Sequence, residues 1–474
     1  MKAFIFHSVH EELFLQVAEN LQRRGVTAWS GFVWSQHQQK ALEGRGVTYD
    51  PLVVFTRDLL PQIEDGQRPD LDWLARRECE LGVSLQRMLA AERHLLTGRT
   101  FEQIMRMAEV ALREIAAAYD RARPDFIFSD DIACFHSYVH FAVARERGIP
   151  FWSIGSGRLP RRISVYSAGL QHNERFEKRF AEISARGLTG DERRDAETYL
   201  TTFRERPQRP TGMNTRAVKP SVGRLEVSRF RNAAALYFAD RDNPTAIPPL
   251  RMIQSRLTRM ARIAVADATG VFEKPVPGEK YIFYPLHFQP EATTLVQAPL
   301  YVDQLALLHD IAASLPAGYR LYVKEHLSSR GRRPLGFYET IRAIPSARLL
   351  GPDENTWSLI RDAAVVAVIT GTVGWEGLMF EKPVVTFGDV FFNHHPSVYR
   401  AGRAAKDTWF ELFTRATTNH VHDRDAVLAM IAALHQSTYP GFIGNPRSFP
   451  EALDPENVKL LADAVADSVG LKSA

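Results

Sequence analysis

Short apolar runs alternate along the first half of the chain with longer stretches of helical periodicity. In residues 9–25 the side chains of Leu13, Val17 and Leu21 recur at helical spacing, and Gly25 follows them as a helix stop. Apolar runs that predict strands are KAFIFH, VTAW, YDPLVVFT, PDFIFSDD and IPFWSIG. Strands that alternate with helices in this way are typical of a parallel sheet.

The middle of the chain interrupts this alternation. Residues 71–122 contain few prolines or glycines and predict helices, whereas residues 203–248 are rich in proline, glycine and arginine. The second segment therefore predicts a long loop or insertion, placed as a flap near a cleft between domains.

A basic amphipathic helix is predicted next, over residues 251–264. Ile253, Leu257, Met260 and Ala264 share one face of this helix, and its four arginines lie largely elsewhere. We expect the apolar face to pack into the domain and the charged face to point outward. Contact of the helix with an anionic membrane is the alternative.

From about residue 278 the alternation of strands and helices starts again. Strands are predicted at YIFYPL, YRLYVKEH, ARLL, VVAVIT and PVVTFG, with helices between them. This order predicts a second, doubly wound α/β domain. We divide the chain into an N-terminal α/β domain with helical and loop insertions (1–265), a C-terminal Rossmann-like domain (266–440) and a tail with a helix (441–474). The tail is expected to pack back on the N-terminal domain.

Composition agrees with two domains and narrows the class of protein. A chain of 474 residues is too long for a single hydrophobic core. Its 59 basic and 55 acidic residues are too evenly balanced for a dedicated nucleic-acid binder. The two cysteines, Cys79 and Cys134, exclude a disulfide scaffold and a cysteine-rich zinc site. The N-terminal apolar run is too short for a signal peptide, and no apolar run is long enough to span a membrane, so we expect a cytoplasmic protein.

Candidate chemistry lies at the strand ends of the second domain. Ligands bind beyond the carboxyl ends of the strands in open parallel sheets. Polar segments follow three of the predicted strands, and they read HFQPEATT, LSSRGRRP and GTVGWEG. We expect these three segments to converge at one edge of the sheet and to form a nucleotide site.

The third segment has the composition of an anion-binding turn. Gly371 and Gly374 allow a phosphate to approach the backbone where a helix begins, and Thr370 and Thr372 add hydroxyl donors. Glu376, a turn into the helix, suits the neighbouring hydroxyls of a ribose. An ordinary strand–helix connection is the alternative reading.

Lys324 and His326 end a neighbouring strand and share a face of it. We expect them to place positive charge beside a leaving phosphate. Taken singly, each of the two also fits an ordinary surface residue.

Residues 281–392 resemble the bacterial capsule polysaccharide biosynthesis family through FQPEATT, VKEH and TGTVGWEGLMFEKPVVTFGDVFF. FIFHSVHEELFLQVAENLQRRG and FIFSDD resemble the family's opening strand and helix and its acidic segment. The resemblance implies a GT-B-like α/β fold, with two Rossmann-type doubly wound domains facing a cleft, a helical insertion and a C-terminal helix. It also implies a retaining transferase that uses a CMP-activated ulosonic acid such as Kdo. The chain departs from the family at residues 154–157, where members carry a glutamate-rich turn, and at Leu327, where they carry proline.

The catalytic candidates are Asp130 and Asp131, at the carboxyl end of a first-domain strand. A retaining transfer can use a carboxylate nucleophile, and the resemblance favours an aspartate in this segment. Adjacent strand residues point to opposite faces, so we expect one of the two to reach the sugar. Capping of the following helix is the alternative role.

Further candidates for the cleft and the donor sugar are His7, Arg158, Gln289 and Glu291. Some sugar transferases bind a metal through a D-x-D triplet. Such triplets occur three times in this chain, so a single match is weak evidence for a metal site. A single leaving phosphate can be neutralised by Lys324, His326 and backbone donors. We therefore expect no metal and no cofactor besides a CMP-sugar donor.

The sequence thus predicts a glycosyltransferase of bacterial surface polysaccharide assembly, which moves a sugar from a nucleotide donor to a glycan or glycolipid acceptor. A transferase or epimerase that uses a UDP-sugar is one alternative. A non-catalytic component that binds polysaccharide or serves export is another, supported by the missing glutamate turn. Peripheral contact with the inner face of a membrane is left open.

Overall fold

The computed structural model describes residues 1–7, 10–167, 173–208, 224–420, 422–446 and 448–471, with the backbone alone at 224–226, 228 and 229. Its strands are β1 Lys2–Phe6, β2 Ala28–Val33, β3 Tyr49–Val54, β4 Phe126–Ser129, β5 Phe151–Ser156, β6 Arg162–Tyr166, β7 Tyr281–Pro285, β8 Arg320–Lys324, β9 Ala347–Leu350, β10 Val365–Val368, β11 Val384–Thr386, β12 Val398–Arg400 and β13 Tyr439–Pro440.

The α-helices follow the strands in the expected alternation. They are α1 Glu11–Gln22, α2 Gln36–Leu42, α3 Leu60–Ile63, α4 Leu71–Leu81, α5 Leu85–Leu89, α6 Phe101–Ala122, α7 Phe135–Glu146, α8 Glu174–Arg186, α9 Gly190–Glu205, α10 Arg224–Ala239, α11 Pro249–Thr269, α12 Ala292–Leu295, α13 Gln304–Ala313, α14 Leu335–Arg342, α15 Thr356–Asp362, α16 Thr372–Met379, α17 Trp409–Thr418, α18 Arg424–Ser437 and α19 Pro455–Val469.

The N-terminal sheet has the strand order β13-β6-β5-β4-β1-β2-β3. Strands β5, β4, β1, β2 and β3 are parallel, whereas β6 runs antiparallel to β5 and β13 antiparallel to β6. In β1 the residues from Ala3 to Phe6 are all buried, as expected for a parallel strand covered by helices on both faces.

The C-terminal sheet has the order β12-β11-β10-β7-β8-β9, and all its strand pairs are parallel. The chain winds from β7 to β9 on one side and from β10 to β12 on the other. The strand order therefore reverses between β7 and β10, where a crevice opens at the carboxyl ends of an α/β sheet. These two sheets confirm the predicted α/β class with two Rossmann-type domains.

The loop predicted over residues 203–248 needs correction, and some short strands were not predicted. Part of the predicted loop over 203–248 is helical: α9 extends to Glu205 and α10 covers Arg224–Ala239. Residues 209–223 of that segment lie outside the described residues. Strand β6 was not predicted, although Ile163 and Val165 alternate in it with Arg162 and Ser164, and the short strands β12 and β13 were not predicted either.

The basic helix α11 is turned the other way round from the prediction. Ile253 and Leu257 are 44% and 60% exposed, whereas Ile263 and Ala266 are buried. Arg259 donates to the carbonyls of Ser328 and Arg330, at 2.7 Å each. The long arginine side chains therefore attach the helix to the protein, and much of its apolar stripe faces solvent.

The two domains share segments of chain. Helices α8 and α9 pack against α18 and join the hydrophobic core of the C-terminal domain, with Phe180 and Leu200 among the buried residues. Helix α19 returns to the N-terminal domain, where it packs beside α1, and Arg24 forms an ion pair with Asp463. The division of the chain at residues 265 and 440 stays a prediction.

Among the described residues, no helix is both long and apolar enough to cross a membrane.

Candidate active site

A cavity of about 400 Å³ lies where the ends of β10, β7 and β8 meet. The segments after these strands line it with His287 and Phe288, with His326, and with Thr370 and Gly371, among others. Arg158 of the N-terminal domain lines the same cavity. The three predicted strand ends therefore do converge, and they face the other domain across a cleft.

The amino-terminal end of α16 forms part of this cavity. Gly371 is the N-cap residue and supplies no side-chain cap, and Thr372 and Val373 line the cavity. The first N–H groups of a helix have no partner within the helix and form the positive end of its dipole. This end of α16 is suited to an anion such as a phosphate.

His287 fixes the approach to α16, and sequence reasoning did not single it out. Its Nε2 atom accepts a hydrogen bond from the backbone N–H of Thr370 at 3.1 Å, and the Thr370 hydroxyl donates to the Thr293 carbonyl at 2.8 Å. A Cβ atom on Gly371 would lie 3.1 Å from the same Nε2. Burial lowers the pKa of His287 to about 3, so the ring is neutral and Nε2 is free of a proton.

A buried carboxylate, Glu325, holds the end of β8 and was also missed. It is completely buried and accepts hydrogen bonds from the Tyr338 hydroxyl at 2.7 Å and from the His326 N–H at 2.5 Å. Arg333 pairs with Glu325 and donates to the His287 carbonyl at 2.7 Å. The pair thus positions both His326 and His287. A glutamate between Lys324 and His326, directly after a buried strand, was the available signal.

Lys324 and Gln289 do not line the cavity. Lys324 is buried, and its Nζ donates to the Pro352 carbonyl at 2.9 Å, on the side of β9. Gln289 donates to the Val302 carbonyl at 2.8 Å and accepts from Gln304 at 2.7 Å. Both predicted ligands have structural hydrogen bonds, whereas His326 lies in the cavity with its Nδ1 accepting from the Ser328 N–H.

Gly374 and Glu376 lie deeper in α16. A Cβ on Gly374 would come within 2.7 Å of Phe392 and 2.8 Å of Val368, so the glycine lets the helix pack closely on the sheet. Glu376 is buried, and burial of Tyr199 on α9, with a smaller contribution from the Glu376 charge, raises the pKa of Tyr199 to about 12. Neither residue is among those lining the cavity.

His7 is brought to the interior of the N-terminal domain. It is fully buried, and its Nε2 lies 3.1 Å from the Tyr49 hydroxyl. Burial lowers its pKa to about 3. The side chain stabilises the end of β1 and does not line the cavity of the C-terminal domain.

Asp131 is the first-domain carboxylate that faces the cleft. It lines a recess with Gly155, Arg158 and Tyr166, and a Cβ on Gly155 would lie only 3.4 Å from its Oδ1. Part of the Asp131 side chain is exposed to solvent. The protein atoms packed around its carboxylate nevertheless displace much of the surrounding water, and this desolvation raises the pKa of Asp131 to about 6. The neighbouring Asp130 accepts from the Ser129 hydroxyl at 3.3 Å and does not line the recess.

Arg158 connects the recess and the cavity, since it lines both. It has a φ angle of 63°, a left-handed conformation that is uncommon for a residue with a side chain. Its charge interacts with Asp131 on its own domain and with Glu291 across the cleft. Glu291 stands at the exposed edge of the cleft, where partial loss of water raises its pKa.

Gly155 lies in the segment where the chain departs from the family's glutamate-rich turn, and its lack of a side chain leaves room for Asp131. At this position the chain has no side chain, and the carboxylate of Asp131 occupies the adjoining space. Gly157 is required for packing, because a Cβ there would lie 2.9 Å from the backbone of Arg162.

Within the described ranges, no group of three or more histidine, cysteine or acidic residues is placed to hold a metal ion. The expectation that the reaction needs no metal stays a prediction.

Fold and site together define a two-domain α/β protein of the GT-B type, with a candidate nucleotide cavity at the topological switch point of the second domain. Residues 298–439 match the model of the capsule polysaccharide biosynthesis protein family. Over this region the chain is similar to that family, which confirms the resemblance drawn from its sequence.

Solved structures resemble the chain at low identity. KpsC of Thermosulfurimonas dismutans, described as a beta Kdo 2,4 transferase, has a TM-score of 0.38 and 13% identity, covering 67% of this chain and 82% of that one. The beta Kdo 2,7 transferase of the same KpsC has a TM-score of 0.39 and 11% identity, covering 75% and 89%. UDP-GlcNAc 2-epimerase from Neisseria meningitidis has a TM-score of 0.25 and 10% identity, covering 92% and 98%. No curated protein matches the chain in sequence.

Proposed function

We propose that the protein is a glycosyltransferase of bacterial surface polysaccharide assembly that uses a nucleotide-activated sugar. The observation that carries this proposal is the cavity at the end of β10, β7 and β8, which places the uncapped end of α16 opposite Arg158 of the other domain. A nucleotide bound there would present its sugar to the cleft, where Asp131 stands in the adjoining recess.

The donor we propose is a CMP-linked ulosonic acid such as Kdo. A single phosphate matches the positive groups available in the cavity, which are the end of α16 and Arg158, with the ring of His326 as a neutral hydrogen-bond donor beside them. Phe288 lines the same cavity and offers an aromatic face to the base. The match of residues 298–439 supports a role in capsule polysaccharide biosynthesis, and the CMP donor is what the resemblance in sequence implies.

Asp131 is the group to which we assign the chemistry. With a pKa near 6 it is mostly ionised at pH 7 and can attack the anomeric carbon. As the new bond to the carboxylate oxygen forms, the bond from the anomeric carbon to the phosphate oxygen breaks and CMP leaves. The acceptor hydroxyl then displaces the carboxylate, with net retention, and gives its proton to Glu291 across the cleft.

A nucleotide titration followed by thermal unfolding tests the donor. A ligand that binds only the folded state at 100 times its Kd stabilises that state by about 2.7 kcal/mol, so CMP should raise Tm clearly more than UMP or UDP at equal concentration. Preferential stabilisation by UDP would point instead to a UDP-sugar transferase or epimerase.

Turnover is tested by incubating the protein with CMP-Kdo and a panel of glycan and glycolipid acceptors. We expect CMP release that depends on the acceptor and is lost in Asp131→Asn. Tight CMP binding without any release would favour a non-catalytic binding role and overturn the assignment of a transferase.

A further inference from the structure

Exposed apolar side chains are concentrated in one part of this protein. Of the fourteen large apolar residues that are exposed among the described residues, eight lie between residues 227 and 265. They are Val227, Leu236, Phe238, Ile247, Leu250, Ile253, Leu257 and Val265. Apolar residues scattered singly on a surface need no explanation, but a cluster of this kind marks a surface that contacts something apolar.

On α11 these side chains form a stripe. Leu250, Ile253 and Leu257 follow one another at spacings of three and four residues and are 76%, 44% and 60% exposed. That spacing places them on one face of the helix. The other side of α11 is attached to the C-terminal domain through Arg259 and Arg262, which donate to backbone carbonyls after β8.

The same segment is strongly basic. Residues 224–269 contain eight arginines and four acidic residues, whereas the whole chain is nearly balanced with 59 and 55. Arg231, Arg241 and Arg251 are exposed and lie near the apolar residues along the chain. An apolar stripe bordered by arginines matches the boundary of an anionic bilayer, where acyl chains lie beneath negative headgroups.

The position of these helices places the surface beside the cleft. We use the name α10–α11 hairpin for residues 224–269, whose two helices pack against each other. On one side Leu236 and Tyr237 line a cavity of about 360 Å³ with Glu11 and Gln38, which follow β1 and β2 of the N-terminal domain. On the other side α11 is bonded to Ser328, which lines the candidate nucleotide cavity.

We propose that the α10–α11 hairpin is a membrane-docking surface that lies on an anionic bilayer, with its apolar stripe in the headgroup region. A purely apolar partner protein would not require the excess of arginine, and a purely anionic partner would not require the exposed leucine, isoleucine and phenylalanine. Docking in this orientation would hold both rims of the cleft next to the lipid surface. The proposal does not depend on the identity of the donor nucleotide.

Vesicle flotation of the full chain tests the proposal. We expect binding to vesicles of phosphatidylglycerol and phosphatidylcholine in a 3:7 ratio, weak binding to phosphatidylcholine alone, and a decrease in binding when salt is raised. The triple variant Leu250→Gln, Ile253→Gln, Leu257→Gln should lower the partition coefficient about tenfold or more, because it removes the inserting side chains. All three are exposed, so the fold is expected to survive, which thermal unfolding will check.

A matched control alters three apolar residues of similar exposure elsewhere, Leu71→Gln, Leu300→Gln and Phe410→Gln, which are 51%, 87% and 53% exposed. This control should bind vesicles like the unaltered protein. As a spectroscopic readout, Phe238→Trp should show a blue shift of its fluorescence on addition of anionic vesicles only.

Three outcomes would overturn the proposal. The first is equal binding of the unaltered protein to anionic and neutral vesicles, or binding to neither. The second is an equal loss of binding in the control variant. The third is a dimer seen by light scattering that the hairpin variant dissolves, since a second copy of the chain would then cover the stripe. A failure of CMP binding, by contrast, would leave these vesicle results unchanged.

Discussion

The Nε2 atom of His287 accepts a hydrogen bond from the backbone N–H of Thr370 across 3.1 Å. This bond joins the segment after β7 to the residue that leads into α16, and it does so at the point where the strand order of the sheet reverses. The candidate phosphate site therefore depends on a neutral histidine that holds the turn before α16 through a hydrogen bond to its backbone.

Acid should destabilise the protein from below about pH 6.5. His287 and His7 have their pKa lowered to about 3 by burial, while in the unfolded chain both titrate near 6.5. Between these values the unfolded state binds more protons, so stability is complete above pH 6.5 and decreases as pH falls. Each such histidine contributes about 1.4 kcal/mol per pH unit in this range.

This dependence is measured as the free energy of unfolding in denaturant between pH 7.5 and 5. The variant His7→Gln should show a shallower slope than the unaltered protein. His37→Gln, at an exposed position, should keep the original slope. A stability that does not change between pH 7 and 5 would contradict the burial of these rings.

Asp131→Asn should abolish transfer, whereas Asp130→Asn should retain most of it. The reason is placement: Asp131 lines the recess beside Arg158, and Asp130 bonds to Ser129. Because the carboxylate must be ionised to act, activity should fall as pH drops through about 6, the pKa of Asp131. The measurement is the initial rate of CMP release from pH 5 to 8.

Arg158→Gln provides the matching test of this titration. The Arg158 charge lowers the pKa of Asp131, so its removal should move the acidic limb of the pH profile to higher pH. A limb that stays in place in Arg158→Gln, or an Asp130→Asn variant as inactive as Asp131→Asn, would refute the assignment.

Gly374→Ala should destabilise the C-terminal domain by about 1–3 kcal/mol, because overpacking forces neighbours to move. The added Cβ would lie 2.7 Å from Phe392 and 2.8 Å from Val368. The control is Gly336→Ala in α14, where nothing lies within 4 Å of the added atom and helix propensity favours alanine. Urea unfolding of both variants decides the point, and equal stabilities would exclude a packing role for Gly374.

Glu325→Gln should cost about 3–5 kcal/mol, since it leaves Arg333 without the charge of its buried partner. Glu325 also holds the His326 N–H and the Tyr338 hydroxyl, so nucleotide binding should weaken as well. Glu339→Gln, on the exposed side of α14, is the matched control. Unfolding curves with and without CMP measure both effects, and an unchanged Tm in Glu325→Gln would contradict the central role of this carboxylate.

Much of the fold follows from the sequence because strand and helix periods are strong local signals. The convergence of the three polar strand ends followed from the rule for parallel sheets, and the structure shows it directly. The direction of individual side chains did not follow. The pattern of the strand places Lys324 on the same face as His326. Strand β8 ends at Lys324, however, and the Lys324 ammonium group donates a hydrogen bond to the Pro352 carbonyl.

Other misreadings have a similar physical origin. A glycine in a turn can serve ligand approach or close packing, and the sequence does not distinguish the two; Gly374 serves packing. In α11 the periodicity located the apolar stripe, but arginines long enough to reach the carbonyls after β8 decided which side faces the protein. The packing role of Gly374 and the orientation of α11 both depend on contacts between residues that are distant along the chain, and the local sequence pattern does not reveal such contacts.

Helices α8 and α9 pack against the C-terminal domain, and α19 packs against the N-terminal domain, so neither domain is a continuous stretch of chain that can be expressed alone. A fragment cut at residue 265 would carry α8 and α9 without α18 to cover them, and would lack α19 over the first sheet. Each truncated piece would be expected to aggregate. Co-expression of overlapping fragments, or an internal nick followed by reassembly, is a sounder route than isolating either half.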